Sequence, residues 1–172
     1  MRSFESGVQG KRVRVFLSDL KPRLIVVDAA FESPVRAVAR NMNIEIAELR
    51  SIEQDEAGAF SFGPDASVLV SDAPMGCAKA SDVALVLHTS GTTSRPKIVP
   101  LTHENLCASA ANIAQSLALS PADRCLNIIP LFHIHGLVGA LLPSLSAGAS
   151  VVRATGYDAT RFFDWLAEFE PT

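Results

Sequence analysis

The sequence predicts an α/β fold, with a mostly parallel sheet flanked by helices. Short apolar runs rich in Ile and Val alternate along the 172 residues with stretches whose apolar residues repeat at helical spacing. Residues typical of helix caps stand at the junctions between the two kinds of segment. Because regular alternation of strands and helices favours parallel pairing through crossover helices, a layered α/β domain is expected.

The first predicted unit is a strand, a helix and a second strand. Residues 23–28 form a short apolar run, and Ser33 followed by Pro34 is typical of a helix N-cap and first turn. Residues 44–46 alternate as in a strand. Acidic residues and glycines then accumulate without periodicity over residues 51–66, which indicates a surface loop.

The second half of the chain continues the alternation. Thr102 is predicted to cap one helix and Asp158 another, since their side-chain oxygens can accept from free N–H groups of a first turn. Gly148 is predicted to mark the end of the helix that starts at Gly136. The strands expected here are residues 83–88, 98–101, 125–129 and 150–153.

A loop of small residues with hydroxyl groups follows the strand that ends at His88. It contains, in order, Thr89, Ser90, Gly91, Thr92, Thr93 and Ser94. Lys97 comes shortly afterwards and adds a mobile positive charge. Hydroxyls and backbone N–H groups are donors, and glycine lets the backbone approach a ligand closely. The segment suits the phosphates of a nucleoside triphosphate, and an ordinary connecting loop is the alternative.

Two common phosphate-binding motifs are absent. A P-loop has glycine before its lysine and Ser or Thr after it, whereas Pro96 precedes Lys97 and Ile98 follows it. No GxGxxG pattern occurs, so the dinucleotide fingerprint is also missing.

The loop resembles instead the phosphate-binding signature of the adenylate-forming superfamily, which includes acyl-CoA synthetases, luciferases and peptide-synthetase adenylation domains. The matching residues are Thr89, Ser90, Gly91, Thr92, Thr93, Pro96 and Lys97. Ser94 departs from the pattern, because glycine is usual there. The resemblance implies that ATP, with Mg²⁺, binds through Thr89, Ser90, Gly91, Thr92, Thr93, Ser94 and Lys97, and that CoA is a co-substrate.

A second motif, Pro-Leu-Phe-His-Ile-His-Gly, begins at Pro130, at the end of a predicted strand. Ligands of α/β sheets bind at such strand ends. Two histidines at a spacing of two are one pattern of metal ligands, but no nearby carboxylate or cysteine completes a coordination shell, so no metal ligand is predicted. The alternative to a functional role is a loop histidine that only donates hydrogen bonds to backbone carbonyl groups.

This motif is similar to the next signature of the superfamily, which Phe132, His133 and Gly136 match. The resemblance implies that His133 is catalytic and contacts both the acyl carboxylate and the α-phosphate. It further implies that His135 helps to line the acyl pocket, so His133, His135 and Gly136 are the predicted substrate-binding residues.

The identity of the acid depends on His135 and Ser94. Histidine is a donor that can carry positive charge, which suits a second carboxylate, whereas pockets for long or aromatic acids tend to be apolar. The two motifs together look most like oxalate–CoA ligases. Malonyl-CoA synthetases share the His-x-His-Gly element and usually keep glycine in place of Ser94. We therefore expect a short dicarboxylate, such as oxalate.

Composition restricts the partners. A formal charge of −3, without a dense basic cluster, gives no reason to expect nucleic acid. The longest apolar stretch, residues 136–149, is interrupted by Pro143 and is too short for a bilayer, so no membrane is expected. The three cysteines lack metal-like spacing and suit a reducing, cytoplasmic compartment. The predicted partners are a small carboxylic acid, ATP and CoA.

The resemblance covers residues 18–172, as a partial AMP-binding domain, and leaves residues 1–17 as an atypical N-terminal segment. In the family, an adenine-binding loop and a C-terminal lid with a catalytic lysine would follow, so we expect a fragment that is inactive alone. Three classes of function stay open at this point: an acid–CoA ligase, a non-catalytic nucleotide-binding remnant, and an adenylation domain that delivers to a carrier protein.

Overall fold

The computed structural model describes residues 2–52, 58–63, 76–89, 97–154 and 156–172. The chain divides into two compact units, residues 1–75 and residues 76–172. Each unit combines helices with strands, which confirms the predicted α/β class. No helix in the described part of the chain is both long enough and apolar enough to span a bilayer.

The first unit contains the predicted strand, helix and strand. Its elements are α1 (Arg2–Leu20), β1 (Leu24–Asp28), α2 (Pro34–Asn41), β2 (Glu45–Ser51) and β3 (Phe60–Phe62). The strands β1 and β2 are parallel, with Ile25 opposite Ile46. The hydroxyl of Ser33 accepts from the N–H of Val35 at 3.3 Å, so the predicted N-cap of α2 is confirmed.

Strand β3 lies where a surface loop was expected, and that prediction was wrong for residues 60–62. The strand pairs antiparallel with β2, with Phe62 opposite Leu49. Phe60 and Phe62 project from the same face of the strand, and their rings meet edge to face at 5.4 Å. Two aromatics on either side of Ser61 favour a strand, but the acidic and glycine residues around them hid this short pattern.

The second unit begins with a pair of antiparallel strands and ends with a helix. Its elements are β4 (Val83–Thr89), β5 (Lys97–Thr102), α3 (His103–Ser116), β6 (Arg124–Asn127), a π-helix (His135–Leu141), α4 (Leu142–Ser146), β7 (Ser150–Arg153) and α5 (Phe162–Phe169). The strands β6 and β7 are parallel, and the π-helix and α4 form their crossover. The segment between β4 and β5 is shorter than the dozen residues that a parallel crossover needs, so these strands pair antiparallel.

The described strands therefore form three small sheets, with two parallel and two antiparallel strand pairs. Pairing is less uniformly parallel than the sequence analysis expected. Where two strands are close in sequence, as β2 and β3 or β4 and β5 are, the connection leaves no room for a crossover helix.

Two predicted helix boundaries in the second unit, those at Thr102 and Gly148, agree with the structure. Thr102 and Asn105 form a capping box, in which the Thr102 hydroxyl accepts from the Asn105 N–H at 3.2 Å and the Asn105 side chain accepts from the Thr102 N–H at 3.1 Å. Gly148 follows α4 with φ of 76°, a left-handed conformation that favours glycine.

Asp158 does not cap the last helix, so that prediction was wrong. Its carboxylate accepts from the N–H and the hydroxyl of Thr160, and these bonds close a turn before the helix. The helix α5 begins at Phe162 instead. Trp165, on α5, is 4% exposed and has the guanidinium of Arg161 at 5.2 Å from its ring centroid.

The two edges of β6 have different neighbours. On one edge, the carbonyl of Asp123 accepts from the N–H of Ser150 in β7. The carbonyl of Asn127 accepts from the N–H of Ala154, the residue that follows β7. Alternate residues of a strand direct their backbone groups to opposite edges. On the other edge, the carbonyl of Arg124 accepts from the N–H of Thr172 at 3.1 Å.

A hydrogen-bonded carboxylate joins this second edge to the rest of the unit. Asp123 accepts from the N–H and the hydroxyl of Ser120, at 2.6 and 2.9 Å, and from the hydroxyl of Thr172 at 2.9 Å. The Ser120 N–H, followed by the two hydroxyls, holds the pKa of Asp123 below its usual value. A lowered pKa means that the folded state favours the ionised carboxyl.

We expect Asp123→Asn to weaken the acid dependence of stability. The native carboxylate contributes stability at pH values above its ordinary pKa of 3.8, and this contribution is lost as pH falls through the lower folded pKa. Urea unfolding, followed by Trp165 fluorescence from neutral pH to about pH 3, measures the difference. Glu168→Gln, which removes an exposed carboxylate from α5, is the control. Equal acid sensitivity of the native chain and Asp123→Asn would contradict the prediction.

Candidate active site

The antiparallel pair β4 and β5 holds the base of the predicted phosphate loop. Thr89, the last residue of β4, pairs with Lys97, the first residue of β5, and Lys97 is exposed. Residues 90–96 and the side chain of Thr89 lie outside the described residues. The predicted roles of Ser90, Gly91, Thr92, Thr93 and Ser94 therefore stay predictions, as does the role of Lys97 at the base of the loop.

The histidine motif lies just after the carboxyl end of β6. Both backbone groups of His133 are hydrogen-bonded. Its N–H donates to the carbonyl of Pro130 at 3.0 Å, and its carbonyl accepts from the N–H of Leu137 at 3.1 Å. Both His133 and His135 are exposed. The loop that follows β6 therefore presents two imidazoles to solvent from a backbone that is fixed by hydrogen bonds.

One hydrogen bond determines which nitrogen of His133 is available. The backbone N–H of His135 donates to Nδ1 of His133 at 3.2 Å. A neutral imidazole has one donor and one acceptor nitrogen, so an Nδ1 that accepts favours the tautomer with its proton on Nε2. The exposed ring can then offer its Nε2–H group to an anionic oxygen.

Gly136 is buried where the loop folds back on itself. A Cβ atom at this position would lie 2.6 Å from the carbonyl oxygens of both Ile129 and Pro130, which is far inside contact distance. The close approach of these backbone segments requires glycine. This explains the glycine by packing, and its predicted contact with substrate stays a prediction.

A π-helix takes the place of the first part of the expected α-helix. It spans His135–Leu141, and α4 continues from it. The ring of His135 lies beside Gly139, where a Cβ atom would be 3.4 Å from Cδ2 of the imidazole. Turns of the π type often occur at functional sites. The sequence analysis missed Gly139, although its spacing of four from His135 could have indicated a neighbour on one helical face.

Asn127 is a further residue that the sequence analysis missed. It ends β6, is 2% exposed, and its side chain bonds to both ends of the histidine loop. The Nδ2 group donates to the carbonyl of Gly136 at 2.9 Å, and Oδ1 accepts from the N–H of Ile129 at 3.1 Å. A polar residue within the apolar run of residues 125–129 was the available signal, because a buried amide needs partners.

One cavity of the second unit lies apart from the two histidines. It has a volume of about 430 Å³ and lies along β6, and its apolar lining includes Leu126, Ile128, Phe162 and Leu166. Neither His133 nor His135 lines it. We therefore do not assign this cavity to the acid. Within the described ranges, no group of three His, Cys, Asp or Glu side chains could hold a metal ion.

The fold and the two motifs define the class of adenylate-forming enzymes. A run of small hydroxyl residues stands in the sequence between two antiparallel strands, and a Phe-His-x-His-Gly segment follows a strand of a parallel pair. The sequence model of the AMP-binding enzyme family matches residues 5–172, and the chain belongs to that family. The resemblance stated from the motifs is confirmed.

Named relatives make the comparison more specific. An oxalate–CoA ligase of Saccharomyces cerevisiae is 49% identical over 94 residues, which cover 55% of this chain and 17% of that protein. An oxalate–CoA ligase of Arabidopsis thaliana is 35% identical over 159 residues, which cover 91% of this chain and 31% of that protein.

Solved structures agree with the family assignment. The ATP-bound crystal structure of MatB from Rhodopseudomonas palustris matches with a TM-score of 0.71 at 27% identity, over 92% of this chain and 30% of that one. The present chain thus spans less than a third of each of these three proteins.

Proposed function

We propose that the chain is part of an ATP-dependent acid–CoA ligase that acts on a short dicarboxylate such as oxalate. The observation that carries this proposal is the pair of exposed histidines, His133 and His135, held after the carboxyl end of β6 with the Nε2–H of His133 left to donate. Similarity to two oxalate–CoA ligases supports the same substrate class. A cytoplasmic location is part of the proposal.

The first half-reaction forms an acyl-adenylate. A carboxylate oxygen of the acid attacks the α-phosphorus of ATP, a P–O bond forms, and the bond to pyrophosphate breaks. Both reactants are anions, so catalysis depends on holding them in line and on donors aimed at the developing charge. In this proposal His133 donates from Nε2 to the carboxylate and the α-phosphate, while the loop between Thr89 and Lys97 holds the β- and γ-phosphates.

The second half-reaction transfers the acyl group to CoA. The thiolate of CoA attacks the acyl carbonyl carbon, a thioester forms, and AMP leaves with the electron pair of the broken C–O bond. When bound, Mg²⁺ screens the charge of the phosphate oxygens. We assign no Mg²⁺ ligand within the described residues, because they offer no cluster of suitable side chains.

The proposed preference for a dicarboxylate rests on His135. Its exposed imidazole can donate to an oxygen or carry a positive charge, and either property favours a second carboxylate over an apolar tail. The ring lies beside Gly139, where an added Cβ atom would be in ordinary van der Waals contact with it.

Acid-dependent pyrophosphate release tests the proposed function. The protein made from the complete reading frame is assayed with oxalate, malonate, acetate and a cinnamic acid, and the CoA thioester is identified by mass spectrometry. We expect oxalate to give the highest kcat/KM and the 172-residue chain alone to give no release. Release without thioester formation would support a different acyl acceptor, and no release with any of the four acids would refute the ligase.

Replacement of His135 tests the substrate preference. We expect His135→Leu to lower kcat/KM for oxalate by about 10- to 100-fold, because hydrogen bonds to charged groups contribute about 1.5–3 kcal/mol. Acetate has no second carboxylate, so its kcat/KM is expected to change little. Ile134→Val, at the neighbouring exposed position, is the control and should preserve the ratio of the two acids. An equal loss for oxalate and acetate would contradict the role of His135.

A further inference from the structure

We propose that Asn127 is a positioning residue that clamps the loop carrying His133 and thereby sets the tautomer and orientation of its ring. The significance of this clamp for catalysis rests on the function proposed above. The clamp itself rests on contacts within the chain. Asn127 contributes both hydrogen-bonding groups of its side chain, and each reaches a different end of the loop.

The clamp has a fixed base. Asn127 is the last residue of β6, and its backbone carbonyl accepts from the N–H of Ala154 at 3.1 Å, beside β7. Its side chain is within the protein, since the residue is only 2% exposed. An amide that is buried without hydrogen-bond partners raises the free energy of the folded state. The two side-chain bonds are therefore strongly favoured.

The two bonds close the loop at its entry and its exit. Ile129, at the entry, donates its N–H to Oδ1, and Gly136, at the exit, accepts from Nδ2. The backbone at Gly136 already touches the carbonyl of Ile129, as the 2.6 Å approach of a hypothetical Cβ shows. The amide of Asn127 therefore joins two segments that could otherwise separate.

The closed loop then determines the geometry at His133. Between the clamped ends, the N–H of His133 bonds to Pro130 and its carbonyl to Leu137, and Nδ1 accepts from the N–H of His135. The last of these bonds selects the tautomer with a proton on Nε2. If the exit of the loop moves, the N–H of His135 moves with Gly136, and this selection is lost.

Nuclear magnetic resonance of the 172-residue chain tests the clamp without any ligand. We expect the nitrogen shifts of the native His133 ring to report the Nε2-protonated tautomer. Asn127→Leu keeps the branching of the side chain at Cγ and removes both bonds, so it should give a mixture of tautomers. Hydrogen exchange at the N–H groups of Ile129 and Leu137 should become at least about tenfold faster.

Ser144→Ala is the matched control. Ser144 is also buried, at 4% exposed, and its hydroxyl donates to the carbonyl of Ala140 at 2.9 Å, in the same helical segment. Its loss should lower global stability, as measured by urea unfolding, without changing the His133 nitrogen shifts. If Asn127→Leu behaves like this control, with lower stability and an unchanged His133 ring, Asn127 is only a structural residue and the proposal is overturned.

Asn127→Asp provides a second variant in case Asn127→Leu does not fold. A protonated carboxyl has one donor and one acceptor and can replace both bonds, whereas an ionised carboxyl has no donor for the Gly136 carbonyl. Protection of the Ile129 and Leu137 N–H groups, corrected for intrinsic exchange, should therefore recover as pH is lowered. If the protection of these N–H groups in Asn127→Asp changes with pH no more than it does in the native chain, the clamp is overturned.

These measurements separate the clamp from the proposed ligase. The nitrogen shifts and the exchange rates concern the unliganded chain, so they can establish the clamp even if no acid supports pyrophosphate release. In the protein made from the complete reading frame, Asn127→Leu should lower kcat for oxalate and leave KM for ATP within about twofold.

Discussion

Replacement of His133 by alanine is expected to lower oxalate-dependent pyrophosphate release by about 10²- to 10³-fold. Removal of one positioned donor to a developing anionic oxygen typically has an effect of this size. The structure supports the donor role, because the N–H of His135 occupies Nδ1 of His133 and leaves Nε2 to donate. Steady-state kinetics of the protein made from the complete reading frame measure the change.

Two further variants make the His133 result specific. His133→Gln keeps an N–H donor near the position of Nε2 and should recover part of the lost rate. His103→Ala removes a histidine at the first position of α3, which is not part of the histidine motif, and should change the rate by less than about threefold. If His133→Ala loses no more rate than His103→Ala, His133 does not act in the chemical step.

Substitution of Gly136 by alanine is expected to destabilise the second unit by about 3 kcal/mol. The added Cβ would lie 2.6 Å from two backbone carbonyl oxygens, those of Ile129 and Pro130. Neither oxygen belongs to a flexible side chain, so the backbone of the loop has to move. That movement strains the bond from Asn127 to the Gly136 carbonyl as well.

The stability of the second unit can be measured through its own tryptophan. Trp165 is the single tryptophan of the chain and is buried in this unit, so its fluorescence reports urea unfolding there. Gly76→Ala is the matched control, because a Cβ at that position would meet nothing within 4 Å. Unfolding of Gly136→Ala at the same urea concentration as Gly76→Ala would show that the loop can relax without cost.

Local hydrogen bonds explain which helix boundaries could be predicted. The N-caps Ser33 and Thr102 bond to N–H groups two and three residues away, so the decisive partners are adjacent in sequence. Asp158 has the same chemistry, but its nearest partner, Thr160, closes a turn first and the helix starts later. A cap residue therefore indicates a local bond, and the exact start of the helix depends on which local bond forms.

Strand pairing was less predictable, because it depends on residues far apart in sequence. Phe60 and Phe62 belong to a strand because that segment pairs with the edge of β2. The π-helix at His135–Leu141 is equally hidden from sequence patterns, because its apolar residues suit an α-helix as well.

The family was determined by the sequence alone. A run of hydroxyl residues with Gly91 and Lys97, followed by a motif with His133 and His135, resembles the signatures of the family closely enough to identify it, and these residue types suit the proposed binding of ATP phosphates and an acid. Only the tertiary structure decided the geometry. The tautomer of His133 and the clamp by Asn127 depend on bonds to backbone groups of His135, Ile129 and Gly136, and the positions of those groups are set only when the loop closes over the end of β6.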